Sequence, residues 1–208
     1  MRQILTTEDR DQLAHLIGDI ETRTAGELVL VVARRSGSYG TTRVTWAAVA
    51  SLVVVTLVEL VYPSLPPLWL LGLQGPVGLV LWWLLGHPEI LRRIVPRDDQ
   101  QRRVSDRVKQ LFIERGITET RDRSGVLIFL SELEHRVEIL ADRGIHERVG
   151  SQAWAVMVDG LVTEIRAGKA SSGLSAILRR IGDTLAAHFP PRPDDTNELP
   201  NAVVEVDR

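Results

Sequence analysis

From Val44 to Leu85 the chain carries a single charged side chain, Glu59. The stretch falls into two apolar halves on either side of Pro63-Ser64-Leu65-Pro66-Pro67. Each half is close to the ~20 apolar residues a helix needs to cross a hydrocarbon core. Glu59 lies near the end of the first half, where a carboxylate reaches the interface. Tyr62 and Trp69 flank the Pro-rich turn, and Trp82 and Trp83 sit near the far end, where aromatic belts form. Core helices of soluble domains are mostly shorter or amphipathic. The stretch therefore reads as a two-helix transmembrane hairpin over 44–85.

Charge orients the hairpin. Arg34, Arg35 and Arg43 precede it and Arg92, Arg93 and Arg97 follow it, whereas the connecting loop has no charge. By the positive-inside rule both flanks, and with them both termini, are cytoplasmic in a multi-pass cell-membrane protein. The position of these arginines at both borders points to lipid headgroups rather than nucleic acid. Lys+Arg 25 against Asp+Glu 27 gives a net charge of -2, too balanced to draw in a polyanion. With no cysteine, disulfide and thiol chemistry are excluded. The charged opening MRQILTTEDRDQLAHL lacks the apolar centre of a signal peptide.

The rest of the chain alternates helical and strand patterns. Thr6 or Thr7 caps a first helix with Leu13, Leu16, Ile17 and Ile20 on one face. Glu27 to Ala33 is an unalternating apolar run, as expected for a strand covered on both faces. Beyond the hairpin, Pro96-Arg97-Asp98-Asp99 starts a helix with the stripe Val104, Val108, Leu111 and Phe112, and Gly116 ends it. Gly125 to Ser131 and Arg136 to Asp142 are two strands joined by the turn 132–135. Two amphipathic helices follow, with Gly168 between them. The tail 189–208, rich in Pro and Asp, reads as loose.

The first two strands are joined through a helix and should run parallel. Neither soluble half can bury its own strand. Residues 1–40 and 92–188 are thus expected to form one discontinuous α/β domain, interrupted by the hairpin. Its sheet is small and mixed, two parallel strands plus an antiparallel hairpin strand, flanked by helices.

Three segments carry a family resemblance: Thr24-Ala25-Gly26-Glu27-Leu28-Val29-Leu30-Val31-Val32, Asp122-Arg123-Ser124-Gly125-Val126-Leu127-Ile128-Phe129, and Arg136-Val137-Glu138-Ile139-Leu140-Ala141-Asp142-Arg143-Gly144-Ile145. In these the chain resembles the TPM domain family, also called TPM phosphatase-like. The resemblance implies an α/β sandwich with helices on both faces of a small sheet. It also implies links to weak acid-phosphatase activity, divalent-metal binding and the assembly or repair of membrane complexes. The chain departs from many relatives in inserting a hairpin within the domain and in placing Arg123-Ser124 before the second strand.

The strand order sorts polar residues onto two edges. Arg34, Arg35, Glu132, Glu134 and His135 belong to the edge from which the hairpin leaves. Glu27, Asp122, Ser124, Asp142 and Arg143, with Glu147 beyond, belong to the other. Of these, Glu27, Asp122 and Asp142 are the candidate ligands for a hard cation such as Ca²⁺ or Mg²⁺. The competing expectation is a solvated acidic rim with Arg123 and Arg143 as counter-ions. Glu132-Leu133-Glu134-His135 has the Glu-x-x-His spacing but lies in a turn, where solvation is expected. The five histidines, His15, His87, His135, His146 and His188, show no ligand spacing, and no serine sits in a nucleophile elbow. Catalytic residues are not identifiable. Two functions remain: a membrane-tethered interaction or assembly module with a membrane-protein partner, and a divalent-metal-dependent phosphatase.

Overall fold

A computed structural model describes residues 5–194, 197–200 and 203–206. In chain order the elements are α1 (Thr7–Glu21), β1 (Glu27–Ala33), α2 (Gly40–Val61), α3 (Pro67–Leu84), α4 (Pro88–Ile94), α5 (Arg97–Glu114), a 3-10 turn (Ile117–Glu119), β2 (Gly125–Ser131), β3 (Arg136–Ala141), α6 (Arg143–Val149), α7 (Ser151–Arg166), α8 (Ala170–His188) and β4 (Val203–Val206). The chain divides into two compact units, 1–36 with 101–208, and 37–100.

In the first unit β1 decides the architecture. All seven of its residues are buried. Leu28, Leu30 and Val32 join one apolar cluster, and Val29, Val31 and Ala33 join the other. A strand sends alternate side chains to opposite faces, so burial at every position requires a layer on each side. One layer is α1, α7 and α8, contributing Leu13, Ile17, Met157, Leu161, Leu178 and Ile181. The other is α5 with the 3-10 turn, contributing Val104, Val108, Leu111, Phe112 and Ile117. Each such aliphatic side chain contributes about 1.5–3 kcal/mol on burial.

The sheet order is β3-β2-β1-β4. β1 and β2 pair in parallel from Glu27↔Gly125 to Ala33↔Ser131, and β2 and β3 pair antiparallel. The mixed α/β sheet flanked by helices is therefore as the sequence predicts, with one strand more. At the start of α1, Thr6 accepts from the Asp9 N–H at 3.1 Å while its own N–H donates to Asp9 Oδ2 at 2.8 Å. This reciprocal box is worth about 1 kcal/mol.

The described residues of the tail are not loose. Phe189 is buried, and its carbonyl accepts from Thr24 Oγ1 at 2.7 Å and from the Ala25 N–H at 3.0 Å. Residues 203–206 form β4, parallel to β1 from Leu30↔Val203 to Ala33↔Val206. Composition misleads here because only a few residues matter. Val203 packs on one cluster, Val204 and Val206 pack on the other, and the edge of β1 offers backbone groups that must be paired.

The second unit contains the hairpin. Ala47, Ser51 and Val55 of α2 and Leu70 of α3 are its buried residues. Small side chains let apolar helices approach closely. A Cβ on Gly78 would lie 3.6 Å from Ser51 Oγ. Gln74 Nε2 donates to Ser51 Oγ at 2.8 Å, satisfying both groups within an apolar surround. Only 17% of the apolar window in α2 and 6% of that in α3 is buried, and both helices are long and apolar enough to cross a membrane.

Candidate functional site

The register brings the starts of β1 and β2 and the end of β3 to one edge. Glu27 is paired with Gly125, and the Asp142 N–H donates to the Gly125 carbonyl at 2.9 Å. Ser124 accepts the Glu27 N–H through its carbonyl at 3.1 Å, and its hydroxyl donates to the Ala25 carbonyl at 2.9 Å. Gly144 makes the close approach of α6 possible: a Cβ there would lie 2.6 Å from the Asp122 carbonyl oxygen. The edge forecast from topology is thus assembled, with Glu27, Asp122, Ser124 and Asp142 around it.

Each of the three candidate ligands is engaged within the chain. Glu27 is 6% exposed, and its Oε1 accepts the Glu198 N–H at 3.0 Å. Asp122 Oδ2 meets Arg192 Nη1 at 2.5 Å. Asp142 is the N-cap of α6: its Oδ1 accepts the Arg143 N–H at 2.6 Å, while its buried Oδ2 has no hydrogen-bond partner. Arg143 and Glu147 pair with each other at 2.8 Å on the surface of α6. Among the described residues, no group of three or more His, Cys, Asp or Glu side chains is placed to hold a metal ion. The three carboxylates are held instead by the Glu198 N–H, by Arg192 and by the start of α6, a donor set that does not fit a resident cation.

The counter-ion that sequence reasoning missed is Arg192, because it lies in the tail. Arg123, expected as a counter-ion, lies in the turn before β2 with φ +52°. Glu21, at the end of α1, was also missed. Its Oε1 accepts the Leu28 N–H at 2.9 Å, on β1 just before the pairing with β4 begins. Burial pushes the Glu21 carboxyl up to about 8, the nearby Glu27 charge adds to this, and the Leu28 hydrogen bond opposes it. No signal in the sequence separates this glutamate from an ordinary surface one at a helix end.

At the opposite ends of the strands lies a second polar group. Glu134 is 4% exposed, so the solvated turn expected from the sequence is not what forms. Its Oε1 accepts the Ser36 N–H at 3.1 Å, and its Oε2 accepts from the Ser131 hydroxyl, which in turn receives the Ser36 hydroxyl at 2.9 Å. His135, at φ +52°, reverses the backbone beside it. The Glu132 and Leu133 N–H groups donate to the Ala33 and Arg34 carbonyls at 2.9 and 3.0 Å. This network ties the exit of β1 to the β2–β3 turn. Its hydroxyls donate along a closed chain to a carboxylate, an arrangement that fixes backbone and presents no nucleophile to solvent.

Taken together, these features define an α/β domain with a helix layer on each face, interrupted between β1 and β2 by an apolar helical hairpin. Residues 88–184 match the family model described as the TPM domain. The match begins at α4 and ends within α8, and the pairing of β1 with β2 adds residues before the hairpin to the same sheet. The chain is similar in fold to the NMR structure of BA42 protein from the psychrophilic bacterium Bizionia argentinensis. The TM-score is 0.63 at 19% identity, over 99% of this chain and 98% of that chain. At that identity the likeness shows fold alone. No curated protein matches the chain.

Proposed function

We propose that the chain is a membrane-anchored TPM-domain protein whose hairpin spans the bilayer and whose α/β domain is a cytoplasmic module for binding and assembling a membrane-protein partner. One observation carries the anchoring. Among the described residues, every exposed large hydrophobic except Ile113 and Val156 lies between Val44 and Ile90. An apolar surface of that extent on a soluble chain would drive aggregation, and lipid is the solvent that suits it. The placement of Arg34, Arg35, Arg92, Arg93 and Arg97 outside the two helices and of Arg43 in the first turn of α2, with none in 63–67, supports the orientation.

The interaction reading is favoured over hydrolysis because the polar residues of both strand edges are engaged in the fold. The phosphatase reading keeps one supporting observation, the unpartnered Oδ2 of Asp142 on the edge with Glu27 and Asp122. Two assays on detergent-solubilised full-length protein separate the readings. The module reading expects a defined membrane-protein complex to co-purify after crosslinking in cells, and no hydrolysis of p-nitrophenyl phosphate with Ca²⁺, Mg²⁺ or Mn²⁺. Metal-dependent turnover that Asp142→Asn abolishes would instead establish the enzyme.

A further inference from the structure

The arginines beside the hairpin do not share one role. Arg43, in the first turn of α2, is engaged inside the second unit. Its Nη2 donates to the Trp82 carbonyl at 2.9 Å, and its guanidinium lies 4.3 Å from the centre of the Trp82 ring. Gly86 leaves the room it needs, since a Cβ there would fall 2.3 Å from Nη2. A cation at the carbonyl end of α3 is favoured by the helix dipole, and stacking on the indole adds a cation–π term. Arg43 is thus a clamp between the two helices.

Arg92 and Arg93 are placed differently. Both are exposed, in the last turn of α4. The helix beneath them is anchored: Leu91 and Val95 are buried, and the buried Gln100 donates through Nε2 to the Arg92 carbonyl at 2.8 Å and the Val95 carbonyl at 3.0 Å. The exposed Arg97 follows. Residues 86–97 hold Arg92, Arg93 and Arg97 against Glu89, a net +2 with His87 neutral. Asp98 and Asp99 come next, in the first turn of α5, where the dipole stabilises them. Just before α4, Trp83 is 72% exposed in the last turn of α3, the depth at which an aromatic belt meets headgroups. An aromatic anchor followed by a pair of arginines on an anchored helix matches the acyl-to-phosphate order of a lipid leaflet, and guanidinium binds phosphate oxygens bidentately.

We propose that α4 is a headgroup-binding element, with Arg92 and Arg93, assisted by Arg97, engaging the phosphates of anionic phospholipids of the phosphatidylglycerol class. The proposal rests on the membrane reading above and adds to it a lipid preference and its residues. Basic residues near an anionic surface each contribute about fivefold in affinity. Full-length protein is equilibrated in detergent micelles doped with equal phosphatidylglycerol and phosphatidylcholine, repurified, and its retained lipid quantified. Wild type should retain phosphatidylglycerol preferentially, with the preference falling about fivefold in R92Q and further in R92Q/R93Q. The R43Q variant should keep it. Equal retention of the two lipids by wild type, or an unchanged preference in R92Q/R93Q, overturns the proposal. Alkaline carbonate extraction of membranes reports separately on the hairpin. Release of wild type would overturn the membrane reading and this one with it, whereas protein retained without lipid preference overturns this one alone.

Discussion

Glu21 sits where α1 ends, its carboxylate holding the Leu28 N–H on β1 before β4 takes over as neighbour. Because burial raises its pKa from 4.5 to about 8, the folded chain keeps a proton that the unfolded chain releases between those values. The stabilisation is therefore complete below the unfolded value and is lost as pH rises through the folded one. Glu21→Gln keeps the accepting oxygen and removes the titration. Its thermal melts should be flatter than those of wild type across that window and should exceed wild type at about pH 9. An unchanged slope would show that Glu21 is ionised in the folded state. Asp142→Asn probes the buried Oδ2 of the α6 cap. Asn caps a helix about as well as Asp, so the α6 cap survives while a cation ligand is weakened. If the three carboxylates take up Ca²⁺ or Mg²⁺, excess metal raises the melting temperature of wild type and not of the variant, by about 2.7 kcal/mol of linkage at a hundredfold excess over Kd. The engaged geometry of Glu27, Asp122 and Asp142 predicts no such rise. The sequence placed these residues on one edge correctly, because strand order and period alone decide that. It did not reveal their partners, because Arg192 and Glu198 arrive from a segment whose composition carries no periodic signal.

At the scale of elements, the long periodic pieces were legible and the short ones were not. β1, β2, β3 and the stripes of α1, α5 and α8 follow from apolar spacing. α4 and α6, with 7 residues each, and β4, with 4, lack enough repeats to show a period. Each is specified by something nonlocal or by one capping side chain: Gln100 beneath α4, Asp142 at the start of α6, and the open edge of β1 for β4. That edge makes a prediction. A chain ending at residue 190 loses β4 and the Glu198 donor to Glu27, at about 1 kcal/mol for each backbone hydrogen bond removed. It should melt lower than the full chain and self-associate through β1, seen as a larger mass by light scattering in detergent. An unchanged melt and mass would mean that β4 contributes nothing to the sheet.

At the scale of the molecule, one fact organises the rest: the first α/β unit is built from 1–36 and 101–208, with residues 37–100 inserted between β1 and its partner β2. The sequence suggests this because a stretch of two helix lengths with Glu59 as its one charge is unsuited to the core around a seven-residue strand buried on both faces. What it could not show was how the hairpin satisfies itself, since Gln74 with Ser51 and Arg43 with Trp82 are contacts between residues far apart in sequence. The orientation across the bilayer is the central claim, and the absence of native cysteine makes it directly measurable. Single substitutions Glu8→Cys, Ser64→Cys and Ala176→Cys, at exposed positions, each create the chain's sole thiol. They are treated in intact cells with a membrane-impermeant maleimide. The account predicts labelling at residue 64 alone, with residues 8 and 176 reacting only after the membrane is permeabilised. Labelling of residue 8 or 176 in intact cells, or protection of residue 64 there, would contradict it.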